Sequence, residues 1–155
     1  MPGLSNEHRS FFFKLFHNIL PSQERLHRTT RNTPSPNCVL CQSDEVDSVW
    51  HHSFTNCSHT SAAITWLTQT LTPLDATVTA QKTLWLQFDT QNISSELTAV
   101  WLTASMLSYA WARRRKKEAI ILRQLQENIK TEASFMTSSK YHCNVGTLAL
   151  ELMQT

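Results

Sequence analysis

Glycine is nearly missing from this chain, with two residues, Gly3 and Gly146, among 155. Tight hairpin turns draw on glycine for positive φ angles, so this scarcity argues against a sheet of short strands and makes helix the default. No apolar run approaches the ~20 residues that a membrane-spanning helix needs. The opening MPGLSNEHRSFFFKLF lacks the cationic lead, long apolar centre and small-residue cleavage site of a secretory signal. These absences predict an intracellular protein, nuclear or cytoplasmic, with no membrane partner and with reduced thiols. Enzyme signatures are missing as well: His-Glu-x-x-His, a Gly-rich phosphate loop, Gly-x-Ser-x-Gly, and a His-x-Glu to accompany a Cys-x-x-Cys. The expectation is a non-catalytic chain without a small-molecule substrate.

Charge is present but divided. Residues 1–41 carry a net +3, residues 42–112 a net −5 and residues 113–155 a net +4. Basic ends around an acidic middle point to an anionic partner held by the ends.

Apolar periodicity predicts a mainly α fold. Phe12, Leu15, Phe16 and Ile19 repeat at helical spacing behind Ser5 as N-cap, and Pro21 ends the segment. SQERLHRT reads as a second short helix capped by Ser22, and RNTPSPN as a loop leading to Cys38. SHTSAAITWLTQTL forms a helix up to Pro73, whereas residues 74–92 carry little pattern and TLWLQF reads as a short helix, irregular structure or a strand. From Ser94, taken as N-cap, the stripe Leu97, Val100, Trp101, Ala104, Leu107 and Trp111 marks a long C-terminal helix. The stripe lapses across ARRRKKE and resumes at Leu122, Leu125, Ile129 and Met136. Unbroken to residue 137, this helix would be roughly 65 Å long, so its second half either projects or folds back at the basic run. VGTLALELM ends the chain as a short helix. The division is a helical lead with an irregular unit over 1–73 and a helical region over 74–155, or one continuous domain.

The irregular unit is CVLCQSDEVDSVWHHSFTNC, residues 38–57, which holds three of the four cysteines and two adjacent histidines. As ligands these read Cys-x2-Cys-x10-His-x4-Cys: Cys38, Cys41, His52 and Cys57, with His51 as the rival imidazole. A two-residue gap lets one tight turn aim both thiolates at one ion, and the pair spaced by four can come from the start of a helix. Three thiolates and an imidazole fill the tetrahedral shell of a structural Zn(II), which leaves no open position for catalysis. The competing reading is buried free thiols beside surface histidines. Cys143 has no partner pattern.

Arg113, Arg114, Arg115, Lys116 and Lys117 form a run of cations on the predicted long helix. At about 100° per residue they surround the helix, so a solvated collar competes with a binding patch. Arg25, Arg28 and Arg31 ahead of the cysteines add charge, and together these residues are the candidate RNA or DNA contacts, giving salt-dependent affinity. Phe54 and Trp50 read either as base-stacking rings or as the small core of the metal unit.

In the order of these motifs the chain resembles the C-terminal region of reverse-transcriptase polyproteins of LINE-type, non-long-terminal-repeat retrotransposons. The matching segments are LPSQERL (Leu20 to Leu26), CVLC, the acidic DEVD, and HSFTNC with Phe54 in the apolar place, continuing through LWLQF and SYAWARRRKK. This register selects His52 over His51. It departs from the family in the His51–His52 doublet, in Ser58 where a proline is frequent, and in having no Tyr-x-Asp-Asp polymerase motif or endonuclease segment. The resemblance implies an auxiliary zinc-binding region that helps a reverse transcriptase hold RNA or target DNA. The alternatives are a protein-interaction module that self-associates through Leu122, Leu125 and Ile129, and a relic without activity.

Overall fold

A computed structural model of the chain describes residues 4–30, 35–139 and 142–154; the candidate contact Arg31 lies outside them. Within the described residues the fold is all-helical: α1 (Asn6–Phe16), α2 (Gln23–Thr30), α3 (Ser58–Leu71), α4 (Ala80–Leu84), α5 (Ile93–Arg115), α6 (Leu122–Thr137) and α7 (Cys143–Leu152), with a π-helical turn at Val49–Ser53. The one strand-like pairing among them is an isolated antiparallel bridge between Asn37 and Val46.

Caps set the helix starts. The Ser5 hydroxyl accepts from the His8 amide at 3.1 Å, and the Ser22 hydroxyl from the Arg25 amide at 3.3 Å. For α5 the cap is Asn92 instead of Ser94: its Oδ1 accepts from the Ser95 amide at 2.9 Å, so the helix begins earlier. A residue two positions upstream competes equally well for the same orphan N–H groups, and spacing of the apolar stripe does not distinguish them.

α5 is the central element. Every residue from Thr98 to Leu107 is buried, as expected of a helix enclosed on all sides, and α1, α3, α6 and α7 pack on it. The apolar cluster includes Leu15, Phe54 and Leu67 together with Leu102, Leu107 and Leu125, so residues on both sides of position 73 share it.

The chain folds back at the basic run. α5 stops at Arg115, and Lys117 adopts φ 56°, the left-handed conformation that ends helices. The reversal is pinned by an Arg113–Glu118 ion pair at 2.6 Å, a bond from Arg113 to Gln124 Oε1 at 2.7 Å, and one from the His59 ring to the Glu118 carbonyl at 2.9 Å. α6 returns along α5 with Leu125 and Ile129 at 0% and 1% exposure. These two residues therefore fill the chain's own core and are not an open seam for a second copy.

TLWLQF contributes the end of α4 and a left-handed turn at Leu86, φ 53°. Asp75 holds this stretch, accepting from the Asp89 amide at 3.0 Å and from the Thr77 amide and hydroxyl, each at 2.8 Å. Its carboxyl is held below the usual carboxylate range, chiefly by the Asp89 amide, against the opposing effect of burial. No helix of the described residues is long and apolar enough to cross a membrane.

Candidate metal centre

Two short pieces of backbone converge on one point. In the first, the Asn37–Val46 bridge forms a small knuckle in which the Cys38 amide donates to the Glu45 carbonyl at 3.0 Å and the Asp47 amide to Pro36 at 2.9 Å. Gln42, at φ 55°, turns the chain back directly after Cys41. In the second, the π-helical turn places His52, whose carbonyl accepts from the Cys57 amide at 2.9 Å. Cys57 is the N-cap residue of α3, so the second ligand pair does come from a helix start.

One donor atom from each of Cys38, Cys41, His52 and Cys57 lies within 4.8 Å of the others. Cys38 Sγ and Cys57 Sγ are 3.9 Å apart, and Cys41 Sγ lies 3.2 Å from His52 Nε2. A tetrahedral ion with zinc–ligand bonds of the usual length separates two sulfurs by about 3.8 Å and a sulfur from a nitrogen by about 3.6 Å. The measured separations are close to these, and the sulfurs are far beyond the ~2.05 Å of a disulfide. All four cysteines are free thiols. This Cys3His set can hold one metal ion.

The surroundings suit that role. His52 Nδ1 lies 2.6 Å from Glu45 Oε2; a proton held there leaves Nε2, the atom facing Cys41, as the electron-pair donor. His51 is exposed, its carbonyl accepts from Asn56 at 2.9 Å, and it is not one of the four converging residues. His59 is likewise outside the cluster. Cys143 opens α7 and is not one of the four converging residues.

Arg114 closes the inner side. It donates from Nη1 to Cys57 Sγ at 3.3 Å and from Nη2 to Cys38 Sγ at 3.1 Å, and it pairs with Asp47 Oδ1. Asp47 is buried too, accepting from Ser53 Oγ at 2.8 Å and from the Gln23 amide at 2.9 Å. Burial works against the Arg114 charge, but the Asp47 carboxylate and the two sulfurs outweigh it and hold the guanidinium protonated. At Cys57 burial pushes the thiol up to about 11 despite Arg114. Burial also disfavours the Cys41 thiolate, yet hydrogen bonds from the Ser43 side chain and backbone and from the neighbouring thiols bring that thiol below its usual value. A bound cation would supply the positive charge that makes all three thiolates favourable together.

This geometry corrects one candidate phosphate contact. Arg114, at 6% exposure, is committed to the two sulfurs and to Asp47, with which it lines the inner wall of the cavity described below. Of the three arginines that end α5, Arg114 is the one turned inward, where it finds carboxylate and sulfur as partners. Arg113 is half-buried, paired with Glu118 and lying 5.3 Å over the Tyr109 ring. Arg25 donates to the Asn18 carbonyl at 2.7 Å. Arg28, Arg115, Lys116 and Lys117 are exposed. Arg115 and Lys117 line a cavity of about 180 Å³ with Leu26 of α2 and Val39 and Leu40 of the knuckle. Phe54 is fully buried between Phe11 and Trp111 and belongs to the core.

Sequence reasoning missed Arg114, Asp47 and Glu45 as partners of the cluster. The available signal was the DEVD patch inside the ligand loop, since a carboxylate forced under the knuckle needs a cation from elsewhere. Comparison with protein-family models, with curated proteins and with solved structures finds no match to this chain.

Proposed function

We propose that the chain is a non-catalytic nucleic-acid-binding module organised by one structural Zn(II) on Cys38, Cys41, His52 and Cys57. The observation that carries this reading is the placement of exposed Arg115 and Lys117 against the knuckle, where they share a cavity with Val39 and Leu40. Buried Arg114, between them and the sulfurs, anchors that end of α5 to the metal unit. Phosphates are the anions that such an array of fixed cations suits, because each neutralised phosphate releases counterions. Three thiolates and one imidazole favour zinc among the common divalent ions, and four protein donors leave no position for a reacting water.

The order of lead, Cys-x-x-Cys, acidic patch and His-x4-Cys, similar to the tail of LINE-type reverse-transcriptase polyproteins, supports the same reading. On that view the module works beside a reverse transcriptase in the nucleus or cytoplasm, with RNA or target DNA as its ligand.

The test is a titration of the zinc-loaded chain with single-stranded RNA and with duplex DNA at several salt concentrations. Log affinity should fall linearly with log salt, and the double variant Arg115→Gln, Lys117→Gln should flatten the slope by about 1.4 for a single strand or 1.8 for a duplex. An absence of binding at low salt, or a slope unchanged in the double variant, overturns the assignment.

A further inference from the structure

Four aromatic rings cluster in nearly parallel planes, a Trp50–Trp85 stack with Phe16 beside both of its members and buried Phe12 behind Phe16. Buried Phe12 stacks on Phe16 with centroids 5.7 Å apart and 13° between planes. Phe16 lies 6.2 Å and 24° from Trp50, and 6.5 Å and 26° from Trp85. Trp50 and Trp85 stack at 4.3 Å and 10°. The buried contacts of Phe11 are different: it meets Phe12 at 61° and Phe54 at 83°, the edge-on arrangement that ring quadrupoles favour in cores.

The outer members are open to solvent. Trp85 is 45% exposed, Phe16 41%, and Phe13 on the same helix 59%. Hydrophobic burial would pull these rings inward, yet the backbone keeps Trp85 outside. Leu84 before it is fully buried, and Leu86 after it adopts φ 53°, a conformation uncommon for leucine. Trp50 is fixed from the other side by the π-helical turn that also places His52. A cation stands beside the indole: Lys82, three residues before Trp85, a spacing that shares a helix face, with its Nζ donating to Thr77 Oγ1 at 2.6 Å.

We infer that this ring cluster is a stacking platform for the unpaired bases of a single-stranded nucleic acid, an inference that rests on the nucleic-acid reading above. The Trp50–Trp85 stack, ending in a half-exposed indole, offers a π-face to another flat ring, and Lys82 supplies charge for a neighbouring phosphate. Bases inside a duplex hide their faces, so the platform selects single strands. It assigns a task to Trp85 and Phe16 that the metal and the basic run do not perform.

The experiment uses the full zinc-loaded chain at low salt with three probes: a short oligouridine, an abasic strand with the same number of phosphates, and a duplex of that length. The oligouridine should bind roughly 5- to 150-fold more tightly than the abasic strand and should quench tryptophan emission. Trp85→Ala should erase that difference while leaving abasic affinity unchanged, Trp85→Phe should restore part of it, and Phe16→Ala should weaken oligouridine alone. Equal affinity for oligouridine and abasic strand in the unaltered chain overturns the platform while leaving phosphate binding intact. No binding of either strand overturns the platform, and no binding of the duplex as well overturns both readings. Sedimentation showing a dimer that Trp85→Ala dissociates also overturns the platform, assigning the face to a second copy of the chain.

Discussion

Removing the Arg114 guanidinium should be the most damaging single change near the metal centre. Arg114→Met conserves most of the side-chain volume but strips the partner from Asp47, a carboxylate that is 4% exposed. Breaking one side of a buried ion pair costs about 3–5 kcal/mol, against a total stability of ~5–15 kcal/mol for an ordinary domain. The same change deletes the donors to Cys57 Sγ and Cys38 Sγ at 3.3 and 3.1 Å, and loss of groups that support metal ligands weakens affinity about 10- to 100-fold. Neutralising the orphan should recover part of the loss. The pair Arg114→Met, Asp47→Asn is expected to be less destabilised than the sum of its single variants by about 2 kcal/mol, within the range for residues in direct contact. Recovery is partial because Asp47 also accepts from Ser53 and the Gln23 amide. Arg114→Lys keeps the charge but not the fork that reaches two sulfurs and a carboxylate at once, so it should fall between wild type and methionine. Urea unfolding of the zinc-loaded chain gives the stabilities, and competition with a chromophoric chelator gives the affinities. A cost for Arg114→Met under about 1 kcal/mol, or additivity of the two substitutions within about 0.5 kcal/mol, would refute the argument.

Three further outcomes follow from the same geometry. Chelation of the metal should expose residues 35–57 to protease while α5, α6 and α7 resist, since their packing rests on the apolar core; equal cutting of that segment with and without chelator counts against a structural ion. Asp75→Asn should lower stability by about 1.5–3 kcal/mol at neutral pH, the usual worth of hydrogen bonds to a charged acceptor. Because folding depresses the Asp75 pKa, its contribution is present above the ordinary carboxylate value of about 3.9 and fades as pH falls through the lower folded value; urea midpoints that decline equally below pH 4 in wild type and Asp75→Asn would exclude this. Gly146→Ala would place a Cβ 2.6 Å from the Ala133 carbonyl and 2.8 Å from the Thr137 amide, forcing α6 and α7 apart at a cost of about 1–3 kcal/mol, readable as a lower urea midpoint.

The parts of this fold that sequence made visible are the ones decided by neighbours along the chain. Ser5 and Ser22 cap the helices that follow them because the hydroxyl and the amide it receives are three residues apart. The apolar stripe of α5 marked the central helix, and the Cys38–Cys41 and His52–Cys57 spacings marked the residues that converge. Where the long helix would stop was harder to read, because no glycine or proline marks the turn: Lys117 takes the left-handed conformation with a full side chain. The inward turn of Arg114 was illegible for a different reason. Within a run of five cations nothing local separates one from another, and its partners Cys38, Asp47 and Cys57 lie 76, 67 and 57 residues away. The exposed aromatic cluster has the same origin, with Phe16, Trp50 and Trp85 drawn from α1, the π-helical turn and the end of α4.

Those sequence distances also order events during synthesis. The ligand set is complete once Cys57 has emerged, but Arg114 follows 57 residues later, an interval of roughly 3–11 s at ordinary elongation rates of about 5–20 residues per second. Through that interval the growing chain presents its three clustered thiols without the guanidinium that later covers two of them, so the sulfurs are most open to a metal, or to an oxidant, while the chain is still being made. A nascent chain halted before Arg114 and another halted well past it would carry the same ligands but different protection of them. Arg114 thus acts as a late-arriving stopper on a site assembled by residues 38–57.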